Sequence, residues 1–174
     1  MRSETGKPSV RVVLSSLLVL GGTLFFTPLT PVKGEDPGGG ESDARKLEGT
    51  WRVQVTLRDC LTEDGLGNPF AAMVTFARGG TLTSADSGFN PALRGPGHGI
   101  WRHDGGHTYR ALTEAFLFNS SGVWSGTQRL RQKIEIGEDA DEFRATISAG
   151  VFGTSGNLLV SGCATSVGRR MLDP

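Results

Sequence analysis

The sequence predicts an all-β domain, an eight-stranded antiparallel up-and-down β-barrel, from three observations. After Leu47 no long stretch repeats its apolar residues at the helical period of 3.6. Short alternating segments rich in Val, Thr, Phe and Trp take its place, separated by links of Gly, Asn, Asp and Ser. The third observation is that one apolar face continues from the fourth strand to the eighth.

The elements follow in order. Arg2, Lys7 and Arg11 precede Val12–Phe26, an apolar run of 15 residues. That is short for a bilayer crossing, which takes about 20 residues, and it suits the core of a secretory signal peptide. Cleavage is expected after Gly34, giving a signal peptide over 1–34; an uncleaved anchor is the rival reading. Residues 35–46 are polar, Gly-rich and aperiodic, the composition of a flexible linker. The barrel domain is then 47–174, 128 residues, long enough to bury a sizeable core. Export to the periplasm or the extracellular space follows from the leader.

The expected strands are β1 (50–60), β2 (70–77), β3 (81–86), β4 (99–103), β5 (107–118), β6 (123–136), β7 (141–152) and β8 (157–170). Most links are short enough for hairpins, and only 61–69 and 87–98 are long. Side chains alternate faces with period 2, so each turn fixes which face continues inward. Pairing His103 with His107 sets Trp101 beside Tyr109. Pairing Phe118 with Val123 sets Leu117 beside Trp124. Pairing Ile136 with Asp141 sets Ile134 beside Phe143 and Leu130 beside Ile147. Pairing Phe152 with Asn157 sets Val151 beside Leu158 and Ala149 beside Val160. No parity conflict arises.

Cys60 and Cys163 are the two cysteines, and in an exported protein an even pair reads first as a disulfide. Two buried free thiols are the alternative. A bond between them makes β1 and β8 antiparallel neighbours, with Trp51, Val53, Val55 and Leu57 on one face with Leu158, Val160 and Arg170. The sheet then closes without a free edge. A two-sheet sandwich is the competing architecture, and the regular short turns argue against it.

With "LEGTW" (47–51) at the start of β1 and Arg170 near the end of β8, the domain resembles the lipocalin-like, or calycin, barrels. The resemblance implies that Trp51 closes one end of the barrel and that Arg170 packs over it. The chain departs from the family's pattern in having "GEDADE" where a T-D-Y-like segment is expected. No amphipathic helix follows β8.

The inward positions mix large side chains with Ala and Gly, which either leaves room for a ligand or lets the aromatic neighbours interdigitate. The expected ligand-binding residues are Phe70, Val74, Phe76, Trp101, Tyr109, Thr113, Leu117, Trp124, Gln128, Leu130, Gln132, Phe143 and Ile147. The mouth is expected at the end carrying the β1–β2 and β3–β4 links, lined by Leu117 and Trp124. The expected function is binding of a small hydrophobic molecule for transport or sequestration. The alternatives are a barrel enzyme acting on a lipophilic substrate, in the manner of an isomerase or cyclase, or a purely structural module.

No nucleophile elbow, phosphate loop, zinc-protease helix or C-x-x-C motif occurs, and no catalytic residue, cofactor or metal is expected. Arg110 and Glu114 point outward by alternation; only the opposite parity would make them an interior acid/base pair. His98, His103 and His107 lie within ten residues, but His98 points away from His103, which leaves two facing imidazoles without a third ligand. "GEDADE" reads as a solvated turn, and Asn119-Ser120-Ser121 is a glycosylation sequon. Charge balances at 18 basic and 18 acidic residues, and the basic ones are scattered, so neither nucleic acid nor, after signal cleavage, a membrane is an expected partner. Outward Leu112, Phe116 and Phe118 suggest a homo-oligomer, unless residues near Arg45 and Lys46 cover them.

Overall fold

The computed structural model describes residues 45–172; the expected signal peptide and nearly all of the expected linker lie outside the described residues. Eight strands run in chain order: β1 (Gly49–Arg58), β2 (Gly65–Ala77), β3 (Thr81–Asp86), β4 (Gly97–Gly105), β5 (Thr108–Phe118), β6 (Trp124–Ile136), β7 (Glu142–Gly153) and β8 (Leu158–Arg170). Each pairs antiparallel with its sequence neighbour, and β1 also pairs with β8, so the sheet is a closed up-and-down barrel. Closure leaves no row of unpaired backbone groups at an edge.

The disulfide between Cys60 and Cys163 is present, with Cα atoms 5.2 Å apart. Its register differs from the simplest expectation. Cys163 pairs with Arg58, and Cys60 lies past the end of β1, in the turn. Trp51 thus sits directly opposite Arg170, two residues from where a strict Cys60–Cys163 pair would place it.

The same two-residue slide recurs around the barrel. Trp101 faces Ala111 rather than Tyr109, and His103 takes Tyr109. Leu117 faces Gly126, Ile134 faces Ala145, Leu130 faces Ala149, and Val151 faces Val160. The turns are wider than minimal hairpins because flanking residues join them. In the β6–β7 link, for example, Gly137 donates to Glu142 O and Ala140 adopts a positive φ of 58°. A slide of two preserves face, since alternation has period 2. The inward set therefore survives while the partners change.

Two positions do change face. Irregularities at the ends of β5/β6 and β7/β8 pair Trp124 with Phe118 and Leu158 with Phe152, which puts both on the outer side. An extra residue in one strand flips the parity beyond it. Trp124 is 46% exposed and meets Phe116 edge-on at 6.3 Å on that outer side, so the expectation that it lines the interior is corrected.

The β1–β2 link is also shorter than expected. β2 begins at Gly65, with Leu66 opposite Leu57, and only 59–64 connects the strands. Residues 67–69 bulge from the ladder, where Gly67 has a φ of 70° and Pro69 has no N–H to give.

The β1–β8 seam joins the two ends of the chain's folded part, and the disulfide constrains a separation of 103 residues. Replacing both cysteines with Ser should destabilise the fold by about 2–5 kcal/mol, the range for removing a native bridge across so long a loop. Urea denaturation of the oxidised protein and the double variant checks this; equal midpoints would show that the backbone seam suffices alone.

Candidate functional site: a half-filled barrel interior

One end of the barrel is sealed. Arg170 lies over Trp51, its Cζ 4.3 Å from the ring centroid. Its guanidinium donates to Ala140 O at 2.9 Å, Glu48 O at 2.6 Å and Lys46 O. The Trp51 Nε1–H donates to Leu47 O at 3.0 Å, which folds the segment before β1 under the barrel and buries Leu47 completely. Arg45 and Lys46 adjoin this end through that fold, away from the Phe116 patch.

Above this seal is an aromatic floor. Trp51 meets Phe143 at 5.0 Å, and Phe143 meets Phe76 at 6.2 Å. Phe76 meets Trp101 at 5.9 Å, and Trp101 meets Tyr109 at 6.0 Å. These edge and tilted contacts are the favoured aromatic geometries. Trp101 Nε1 donates to Ala77 O at 3.0 Å, so its polar atom is satisfied at the turn. Five of the expected ligand-binding residues, Val74, Phe76, Trp101, Tyr109 and Phe143, belong to this buried cluster with Trp51, Leu82 and Ile134. Packing here is tight. A β-carbon on inward-facing Gly168 would clash with the Phe143 ring at Cε1.

Toward the other end the interior changes character. Thr113 is buried and accepts from Gln132 Nε2 at 3.4 Å. Gln128 is buried and accepts from Arg94 Nε at 2.8 Å, while Arg94 Nη1 pairs with Asp86 at 2.8 Å. Arg94 comes from the β3–β4 link (87–96), which turns into the mouth and is held there by backbone bonds from Phe118 N to Leu93 O and from Gly95 N to Phe116 O. Leu117, expected to line the mouth, forms a β-bridge with Arg94. Phe70 is half-buried against Gly88 of the same link. Five polar side chains, Thr113, Gln128, Gln132, Arg94 and Asp86, thus gather on the β3, β5 and β6 side.

From Leu130 of β6 across β7 to β8, the wall on the mouth side of buried Ser166 is apolar, and it is open at Gly162. Ile147 and Ala164 are buried, while Leu130, Ala149 and Val151 are half-buried. A β-carbon built on Gly162, opposite Ala149, would have no other atom within 4 Å. Val160, opposite Val151, is 58% exposed, so this wall communicates with solvent at the mouth.

Sequence reasoning missed Arg94, Asp86 and Leu47. No periodicity marks a basic residue in a Gly- and Pro-rich link as an interior group, and its partner Gln128 is 34 residues away.

The remaining candidates lie outside. Arg110 pairs with Asp104 at 2.5 Å, which holds the Asp104 carboxyl below its usual range, and Glu114 pairs with Arg129 at 2.6 Å. Both sit on the outer wall. His98 and His107 are exposed, and His103 packs against Tyr109 at 5.0 Å with its Nε2 on Gly106 O. Among the described residues no group of three His, Cys, Asp or Glu is placed to hold a metal ion. No described helix is long and apolar enough to cross a membrane.

A scan against protein-family models matches none, and a search of curated proteins finds no match. The architecture itself defines the class: an eight-stranded antiparallel closed barrel, sealed at one end by Trp51 and Arg170, with a disulfide that fits a non-cytoplasmic environment.

The buried Arg94–Asp86 pair gives a direct test of the mouth. Arg94→Met leaves the Asp86 carboxylate without its partner and should cost about 3–5 kcal/mol, whereas adding Asp86→Leu should recover much of the loss. A double-mutant cycle in urea measures it, and an additive result would mean that the pair is not coupled. At the sealed end, Arg170→Met should cost about 2–4 kcal/mol through the lost charge-assisted bonds and stacking, seen as a lower melting temperature.

Proposed function

We propose that this chain is an exported, lipocalin-like carrier that holds a small, largely apolar molecule in the mouth-side half of its barrel. The observation that carries the reading is the open space at Gly162, facing a wall of Leu130, Ile147, Ala149, Val151 and Ala164. An apolar pocket with a few convergent polar groups is the usual composition of a small-molecule site. Thr113, Gln128 and Gln132 supply those groups, so the ligand carries at least one hydrogen-bonding function on an otherwise greasy body. The aromatic floor sets the depth to which it enters. Trp51, Arg170, the disulfide and the "LEGTW" start of β1 support the lipocalin-like reading. The apolar run at Val12–Phe26 and the cysteine bond support export.

Of the residues expected to bind, Thr113, Gln128, Leu130, Gln132 and Ile147 lie at the pocket's level, with Phe70 and Leu117 nearer the mouth. Val74, Phe76, Trp101, Tyr109 and Phe143 form the floor beneath it, and a ligand meets only their upper edges.

Gly162→Leu tests the reading, since it puts apolar bulk into the space, its β-carbon meets no other atom within 4 Å, and Gly162 has no positive φ. The variant should keep the native melting temperature and lose the molecule that native mass spectrometry finds on the wild type, or lose uptake of a fluorescent apolar probe. Gly168→Leu is the contrasting substitution and should unfold the barrel. Equal probe binding by wild type and Gly162→Leu would overturn the assignment.

A further inference from the structure

The barrel is electrically and chemically polarised from end to end, and this concerns a surface rather than the cavity. Among the described residues the sealed end carries the charged turns, with Arg78, Asp104, Glu138, Asp139 and Arg169. At the mouth, the links 87–96, 119–123 and 153–157 contain one charged residue between them, Arg94, and it is buried. Most of the exposed large apolar side chains lie toward that same end; Met171 and Leu172 at the sealed end and Met73 and Ile100 on the wall are the exceptions. Leu61, Leu66, Phe89, Val123, Trp124 and Leu159, from all four mouth-side connections and their flanking strands, are each at least 42% exposed.

We propose that this rim docks the open mouth onto a zwitterionic lipid surface. Three observations favour lipid over a protein face. The apolar groups form a ring around an opening and not a flat strip along one sheet, so a plane of acyl chains can receive them together. The exposed charge is confined to the 59–64 link, as Asp59, Glu63 and Asp64, so nothing at the mouth selects an anionic lipid.

The most exposed group is also held rigidly. Leu61, 94% exposed, lies beside the disulfide on a turn fixed by Asp59 Oδ1, which accepts from Leu61 N at 2.8 Å and Thr62 N at 3.0 Å. A preordered apolar tip loses little entropy on insertion. Trp124, with its Nε1–H already donated to Gly126 O, presents an amphipathic ring suited to the interface. The expectation of no membrane contact rested on scattered charge, whereas this surface acts through apolar side chains. The inference stands whether or not the cavity is loaded.

Trp124 makes the test specific, because Trp51 and Trp101 are buried at the sealed end. The full chain is mixed with phosphatidylcholine vesicles containing bromine-labelled acyl chains, and tryptophan quenching is read. The apolar run at Val12–Phe26 can itself bind vesicles, so sedimentation alone decides nothing, and that run holds no Trp. Quenching of the wild type is expected, reduced roughly tenfold or more in Leu61→Glu/Leu159→Glu at an unchanged melting temperature. Absence of quenching, or equal quenching in the double variant, overturns the proposal. So does quenching confined to phosphatidylglycerol vesicles and abolished by salt. A dimer that the double variant dissolves, without lipid quenching in the wild type, would assign the rim to a second copy and overturn it as well.

Discussion

Arg170 is the last residue of β8 and the group through which the sealed end holds together. Its guanidinium stacks on Trp51 across the β1–β8 seam and donates to carbonyls of the β6–β7 turn and of the segment before β1. Three parts of the chain that are far apart in sequence thereby meet over one indole. The planar fork explains why Arg serves here and Lys would not, since several carbonyls must be reached at once while the flat face lies on the ring. At the other end of the same seam, beyond the last β1–β8 pair, Cys60 bonds Cys163. The first and last strands are pinned at both extremities, and the closed sheet depends on that seam.

Once the sheet closes, its contents decide what it can do. The interior is filled unevenly. A methyl group has no room at Gly168 near the sealed end or at Gly97 on the mouth side, where it would meet Ser84 and Thr113, whereas a β-carbon at Gly162 meets nothing within 4 Å. Interiors normally pack to uniform density, so the open wall around Gly162 marks the region not given over to stability. The Arg94–Asp86 pair is consistent with that division. It sits at the mouth, satisfies Gln128, and ties the β3–β4 link into the barrel on one side only. The opposite wall stays open.

The outer surface follows the same axis. Most charged turns lie at the sealed end, and most of the exposed large apolar side chains lie around the mouth. Ordinary scatter of exposed apolar groups needs no explanation, but their concentration around an opening puts a rim charged only on the 59–64 link beside an unfilled interior. Loading the barrel and docking its mouth would then use one end of the molecule.

By itself the sequence determined the strands, their order, the face shown by most residues within them, the disulfide and the Trp51–Arg170 closure. Face is legible because alternation has period 2 and the core demands a continuous apolar side. Direct partners were not legible. A slide of two residues leaves every face unchanged, so the hydrophobic pattern cannot detect it, and the width of each turn decided it instead. The structure also decided the outward turn of Trp124 and Leu158, since one extra residue at a strand end reverses parity locally. It alone placed Arg94 inside, because a link with no periodicity takes its conformation from what it finds across the barrel, here Gln128 and Asp86. The emptiness at Gly162 was likewise a tertiary result. Composition shows small residues, but only the closed wall shows whether neighbours reach in to fill the space they leave.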